Sequence, residues 1–153
     1  MGVEKIRILY AEGYELVLFT ARQLLEAEGW VVEVCRDGPA ALKKLEGNEH
    51  FDLLILDGRL TESGGAELIA HARAEKRLRA TPIILFTAGS ANGASVSLEA
   101  DACLSKPGGL KDLVATCRLL LPGPTARQRP ESRGERAENG ELVTNSFTAP
   151  RSD

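Results

Sequence analysis

Two carboxylates, a hydroxyl and an ammonium occupy the same kind of place in this chain, just past the end of a short apolar run. Glu12 follows Ile6–Tyr10, Asp57 follows Phe51–Leu56, Thr87 follows Pro82–Phe86, and Lys106 follows Ala102–Ser105. If those runs are parallel strands, the four side chains share one rim, because ligands gather beyond the C-terminal strand ends of an open parallel sheet. The set has a chemical logic. A carboxylate can attack phosphorus and form an acyl phosphate. The new dianion needs a cation and hydrogen-bond donors around it. Lys106 carries the charge, Thr87 offers a donor, and Glu12 beside Asp57 would attract a hard divalent ion such as magnesium. Taken singly, each residue has an ordinary explanation: an Asp after a strand commonly caps or turns the chain, and a Lys-Pro pair is commonly loop. Their joint placement on four run ends is what favours chemistry.

The elements that must position them alternate. Ile6–Tyr10 reads as a first strand and Tyr14–Glu28 as a helix, with Val17, Ala21, Leu24 and Leu25 spaced to form one buried face. Gly29 stops that helix, as a C-terminal glycine does. Trp30–Cys35 is a Val-rich second strand, and Asp37-Gly38-Pro39 is turn chemistry leading into a short helix, Ala40–Glu46. Phe51–Leu56 is almost uninterrupted apolar sequence, which predicts a strand covered on both faces. A polar loop (Gly58–Gly65), a helix (Ala66–Leu78), a strand (Pro82–Phe86), a weak helix (Gly89–Ala100), a short strand (Ala102–Ser105) and a last helix (Leu110–Leu121) complete the order. Asn92, Gly93 and three serines make Gly89–Ala100 poor helix material. Strand and helix repeated five times predict an α/β fold, a doubly wound parallel sheet in a single domain over residues 1–121.

Bulk properties agree. At 153 residues the chain suits one domain of ordinary size. With 43% hydrophobic and 27% charged residues it can bury a core, one built mostly from aliphatics since aromatics make up only 5%. The net charge of -3 gives no basic footprint for nucleic acid. Cys35, Cys103 and Cys117 are far apart, odd in number and in apolar surroundings, so they are expected to be reduced buried thiols of a cytoplasmic protein. Met1–Tyr10, with charges inside its apolar run, is not expected to be a signal peptide, and no apolar stretch approaches the length of a membrane span. From Pro122 on, prolines are scattered among Arg, Glu, Gly, Ser and Asn, and five basic residues balance five acidic ones. Residues 122–153 are expected to be a solvated, disordered tail, since ordering them would cost entropy with little to bury. Leu142, Val143 and Phe147 leave a weak docking motif as the alternative.

On these residues the chain resembles the receiver domains of two-component response regulators. Phe-Asp-Leu-Leu-Ile-Leu-Asp (51–57) looks like the family's third strand with its phospho-accepting aspartate. Thr81–Ala88 looks like its fourth strand ending in Thr-Ala, and Ala100–Pro107 like its fifth with the Lys-Pro signature. Gly65 stands where the family usually has glycine, and the likeness covers about residues 5–121. The resemblance implies a flavodoxin-like strand order, 2-1-3-4-5. It implies phosphotransfer onto Asp57 from a histidine kinase or phosphotransfer protein, with Mg2+ held by Glu12, Asp57 and the backbone carbonyl of Arg59. Thr87 would then close on the phosphoryl group and Lys106 pair with it. A downstream protein would read the change on the face made by the fourth helix, fifth strand and fifth helix.

Three departures bear on that expectation. The acidic pair after the first strand reads Glu12-Gly13, so one carboxylate is missing and magnesium should bind more weakly. Cys103 replaces the usual switching aromatic. The loop after Asp57 has Thr61 where the family has proline, and it carries Arg59, expected to point to solvent unless it lies over the phosphoryl site and makes up lost charge. The readings are therefore a single-domain phosphorelay receiver, at most an enzyme of its own phosphoryl acceptance and dephosphorylation, or a degenerate receiver that binds a partner without phosphorylation. A flavodoxin-type cofactor protein fits the strand pattern, but Gly13-Tyr14-Glu15 is too short and acidic for a phosphate loop. His50 and His71 fall away from the strand ends and suit no catalytic triad.

Overall fold

The computed structural model describes residues 4–61, 65–88, 99–106 and 108–121. The chain divides into two units, Met1–Leu121 and Pro122–Asp153. Every described residue lies in the first, so the expectation for the tail lies outside the described residues. The strands are β1 (Arg7–Ala11), β2 (Val31–Cys35), β3 (Leu53–Leu56), β4 (Ile83–Ala88) and β5 (Ala102–Lys106). They form one parallel sheet in the order β2-β1-β3-β4-β5. The described α-helices are α1 (Glu15–Glu26), α2 (Gly38–Glu46), α3 (Ala66–Ala74) and α4 (Leu110–Leu120), with a 3-10 turn at Gly58–Leu60. The weak helix expected over Gly89–Ala100 lies, but for its last two residues, outside the described residues.

The unbroken apolar strands are explained by two cores, one on each face. Successive strand residues point to opposite sides. Leu9, Ala11, Leu54, Leu56, Ile83 and Leu85 meet α2 and α3 through Ala41, Leu45, Leu68, Ile69 and Ala72. Ile8, Tyr10, Leu53, Ile55, Ile84 and Phe86 meet α1 and α4 through Val17, Leu18, Ala21, Leu25, Leu113 and Cys117. Within α1 the buried stripe includes Leu18, whereas Leu24, expected inside, is 39% exposed.

Local chemistry moves several boundaries. The Asp37-Gly38-Pro39 segment is the start of α2 rather than a turn before it: Asp37 Oδ1 accepts from Ala40 N at 2.8 Å, and Pro39 sits in the first turn, where its missing N–H costs nothing. The helix after Gly65 ends at Ala74, not Leu78, because Glu75 turns extended. Arg73 draws the following turn back on itself, its guanidinium donating to the carbonyls of Arg79 and Thr81 at 3.1 and 2.8 Å. Leu78 is still buried, but from that turn. Cys35 and Cys117 are buried as expected; Cys103 is exposed, because β5 is an edge strand with its odd positions facing outward.

Candidate functional site

The strand order decides which side chains meet. β1 and β3 are adjacent, and Asp57 N donates to Ala11 O at 2.9 Å, bringing residue 57 level with the end of β1. Asp57 ends β3 in extended conformation and caps the 3-10 turn, its Oδ1 accepting from Arg59 N at 2.9 Å. Its Oδ2 lies 3.2 Å from Lys106 Nζ, which is carried across from the end of β5. The pair Thr87↔Ser105 and the pair Ala88↔Lys106 set Thr87 at the end of β4 between the two, half-buried. Asp57 and Lys106 are thus in direct contact, and Thr87 stands on the strand between them.

Lys106 has a second and closer partner. Its Nζ lies 2.7 Å from Glu12 Oε2, and its side chain is only 7% exposed. The ammonium also lies over the face of Phe86, 5.4 Å from the ring centroid, a favourable arrangement for a desolvated cation. Glu12 is completely buried. Its Oε2 also accepts from Tyr14 N at 3.1 Å, and its Oε1 from the Tyr10 hydroxyl at 3.2 Å. Burial raises the Glu12 carboxyl above its ordinary value, and the Asp57 charge adds to this, while Lys106 pulls it the other way. The Tyr10 phenol is pushed up as well, by burial first and then by Glu12.

In front of these groups opens a cleft of about 820 Å³, with Asp57, Lys106 and Arg59 at its polar end and Tyr14, Leu16, Val17, Leu60 and Leu110 along its walls. Gly13 lines it without a side chain: a Cβ there would meet Leu60 Cδ2 at 3.1 Å. The glycine at residue 65 is explained too. It adopts φ of 94°, which side-chain-bearing residues rarely take, and Thr61 Oγ1 accepts its N–H at 3.0 Å.

A family model described as the response regulator receiver domain matches residues 8–118. The chain belongs to the response regulator receiver domain family. This receiver is 36% identical over 129 residues to the response regulator protein PmrA of Pseudomonas aeruginosa, covering 82% of this chain and 57% of that protein. It is 30% identical over 128 residues to the transcriptional regulatory protein TrcR of Mycobacterium tuberculosis, covering 82% of this chain and 49% of that one. The chain thus spans about half the length of the curated relatives it matches. Among solved structures, TrrA of Thermotoga maritima in complex with Mg(2+)-BeF superposes with a TM-score of 0.66 at 29% identity, over 76% of this chain and 99% of that one. A CheY-like receiver from Methanospirillum hungatei gives 0.68 at 27%, over 86% and 99%. The flavodoxin-like order of strands is the one these relatives share.

The described donors of this receiver do not fit a tightly held divalent cation. Both Glu12 oxygens are already accepting inside the protein, with none of the residue exposed. Gly13 supplies no carboxylate, and among the described residues Asp57 alone brings one to the cleft. Among the described residues no group of three or more His, Cys, Asp or Glu is placed to hold a metal ion. Glu12, expected as a ligand, is instead turned inward as the counter-ion of Lys106; its extra methylene over Asp gives it that reach.

Tyr10 and Phe86 are the parts of the site that sequence reasoning missed. The signal for Tyr10 was present, since residues 10 and 12 of a strand share a face, and a buried Tyr hydroxyl usually finds a partner. No such rule places Phe86 under Lys106. His50 and His71 lie off the site, His50 Nε2 beside Asp52 Oδ1 at 2.9 Å and His71 near Glu46.

Proposed function

We propose that Asp57 accepts a phosphoryl group from the phosphohistidine of a histidine kinase or phosphotransfer protein, and that the acyl phosphate is the signal this receiver carries, in the cytoplasm. The observation that supports this best is the Asp57 carboxylate lining a cleft, 3.2 Å from a lysine whose side chain is itself buried. In the transfer an Asp57 oxygen forms the new P–O bond as the P–N bond breaks, and the imidazole leaves with the electron pair. Lys106 is placed to hold the charge that gathers on the phosphoryl oxygens. Thr87, at the end of the neighbouring strand, donates its hydroxyl to the same oxygens. Magnesium, where bound, would be held by Asp57 and the Arg59 carbonyl oxygen, and it would help neutralise the phosphoryl oxygens. A partner protein reads the phosphorylated state. The helix expected before β5, part of the face proposed for that reading, lies outside the described residues.

The test is intact mass after treatment with acetyl phosphate or a cognate kinase. The wild-type chain gains the mass of one phosphoryl group and Asp57→Ala does not. A wild-type chain that gains nothing under either donor removes this function.

One observation favours a second reading, that of a degenerate receiver binding its partner without phosphorylation. Tyr14, Leu16 and Phe19, at the start of α1, are 62%, 66% and 61% exposed, and the first two line the cleft. On that reading Asp57→Asn leaves signalling in the host cell unchanged; on the first it abolishes it.

A further inference from the structure

We infer that the Asp57 cleft captures a tetrahedral phosphoryl group without a divalent cation, because Arg59 and Lys106 supply the positive charge from within the chain. This rests on Asp57 being the phosphoryl acceptor and goes beyond it by naming what neutralises the product.

Two carboxylates, Glu12 and Asp57, lie within 3.2 Å of Lys106. Left alone they would exceed the single ammonium by one charge. Arg59 is the nearest further cation that lines the cleft. Its backbone N–H is fixed on Asp57 Oδ1 at 2.9 Å, and its side chain is exposed. Among the described residues the guanidinium has no hydrogen bond or ion pair, whereas Arg7, Arg22, Arg36, Arg73, Arg77 and Arg118 each have at least one. A hard dication is drawn to clustered, uncompensated carboxylates; among the described residues the cleft is lined by one carboxylate, Asp57, and that one already lies 3.2 Å from an ammonium. The room beside Gly13 is taken by the Leu60 side chain and the cleft wall continues in Val17 and Leu110, surfaces that offer a hydrated ion nothing.

A planar guanidinium matches phosphoryl oxygens with two parallel N–H bonds. Arg59 is two residues from the acceptor and tethered to it through its own N–H. The side chain therefore starts from a fixed point beside Asp57, and its length allows it to fold over an oxyanion bound there. Lys106 supplies the second cation from below, held in place by Glu12 and the Phe86 ring.

The experiment is a titration of the full chain with beryllofluoride, whose beryllium takes a lone pair from the aspartyl oxygen, followed by amide NMR shifts of the Asp57 and Lys106 region. It is run once in EDTA and once in magnesium, with the acetyl phosphate mass assay in the same two buffers. Saturation and mass gain are expected in both, with midpoints within about 3-fold. Arg59→Gln, an exposed position where folding is undisturbed, should weaken capture in EDTA about 10-fold. Capture seen only in magnesium overturns the inference and leaves Asp57 as acceptor intact. Wild-type capture in EDTA matched by Arg59→Gln removes Arg59 from the site and with it the inference. No capture and no mass gain in either buffer brings down the phospho-acceptor function itself, and this inference with it.

Discussion

At the scale of single residues, the decisive feature is that Lys106 and Glu12 are buried together. A buried ion pair contributes little over an apolar replacement, but breaking one leaves an uncompensated charge, at a cost of roughly 3–5 kcal/mol. Lys106→Met should therefore destabilise the fold by an amount in that range, while Glu12→Gln/Lys106→Met should recover most of the loss. Urea denaturation of the two single variants and the double variant measures the coupling; additive losses would contradict the pairing. Tyr10→Phe removes one donor from Glu12 and should cost about 1–2 kcal/mol in the same assay, as for a buried acceptor left short, with a smaller loss in the Glu12→Gln background, where the acceptor is neutral. The sequence placed Asp57, Thr87 and Lys106 correctly on their strand ends, because a strand end is fixed by where an apolar run stops. It could not show where Glu12 points, since a strand-end side chain chooses its partner in three dimensions. That choice depended on Tyr10 below it and on the absence of a side chain at Gly13.

At the scale of elements, the connections between strand and helix hold the site together, and Gly109 is one of the residues that do so. At residue 109 the backbone is helical, so no special conformation is needed; the constraint is space. A Cβ there would lie 2.9 Å from Leu104 Cβ and closer still to the Ser105 carbonyl oxygen. Gly109→Ala must push the turn between β5 and α4 outward, and that turn follows Lys106 directly. A cost of about 1–3 kcal/mol is expected, as for overpacking, with chemical-shift changes reaching Lys106 and Asp57; a variant as stable as wild type would show the turn to be looser than described. The elements themselves were legible in the sequence to within a residue or two wherever a strand was apolar throughout. The two errors have the same origin. Pro39 looked like a turn because the capping role of Asp37 depends on the helix that follows, and the helix after Gly65 was overextended because the pull of Arg73 on the carbonyls of Arg79 and Thr81 is tertiary.

At the scale of the first unit as a whole, both faces of the sheet are closed over groups that ionise less readily in the folded chain than in the unfolded one, and this sets its alkaline limit. Cys117, on α4 and packed in the core with Tyr10 and Phe86, is fully buried, and burial pushes its thiol up to about 12 from an ordinary 9.0. The Cys35 thiol and the Tyr10 phenol are raised for the same first reason. The sign follows from proton counting. Between the unfolded and folded values the native state keeps a proton that the unfolded chain releases, so stability falls as pH rises. The contribution of Cys117 is complete below about pH 9 and drains away toward pH 12, at about 1.4 kcal/mol per pH unit. Cys35 steepens the slope from the same starting point and Tyr10 adds to it above about pH 10. Cys117→Ala lowers stability at neutral pH by leaving a small void, yet between pH 9 and 11 its stability should fall less steeply than that of wild type, so the two curves converge. Urea unfolding at half-unit steps from pH 7 to 11, under reducing conditions, tests this. Parallel curves would mean that the buried thiol ionises as readily in the folded protein as in the unfolded chain, and that the core around α4 admits water.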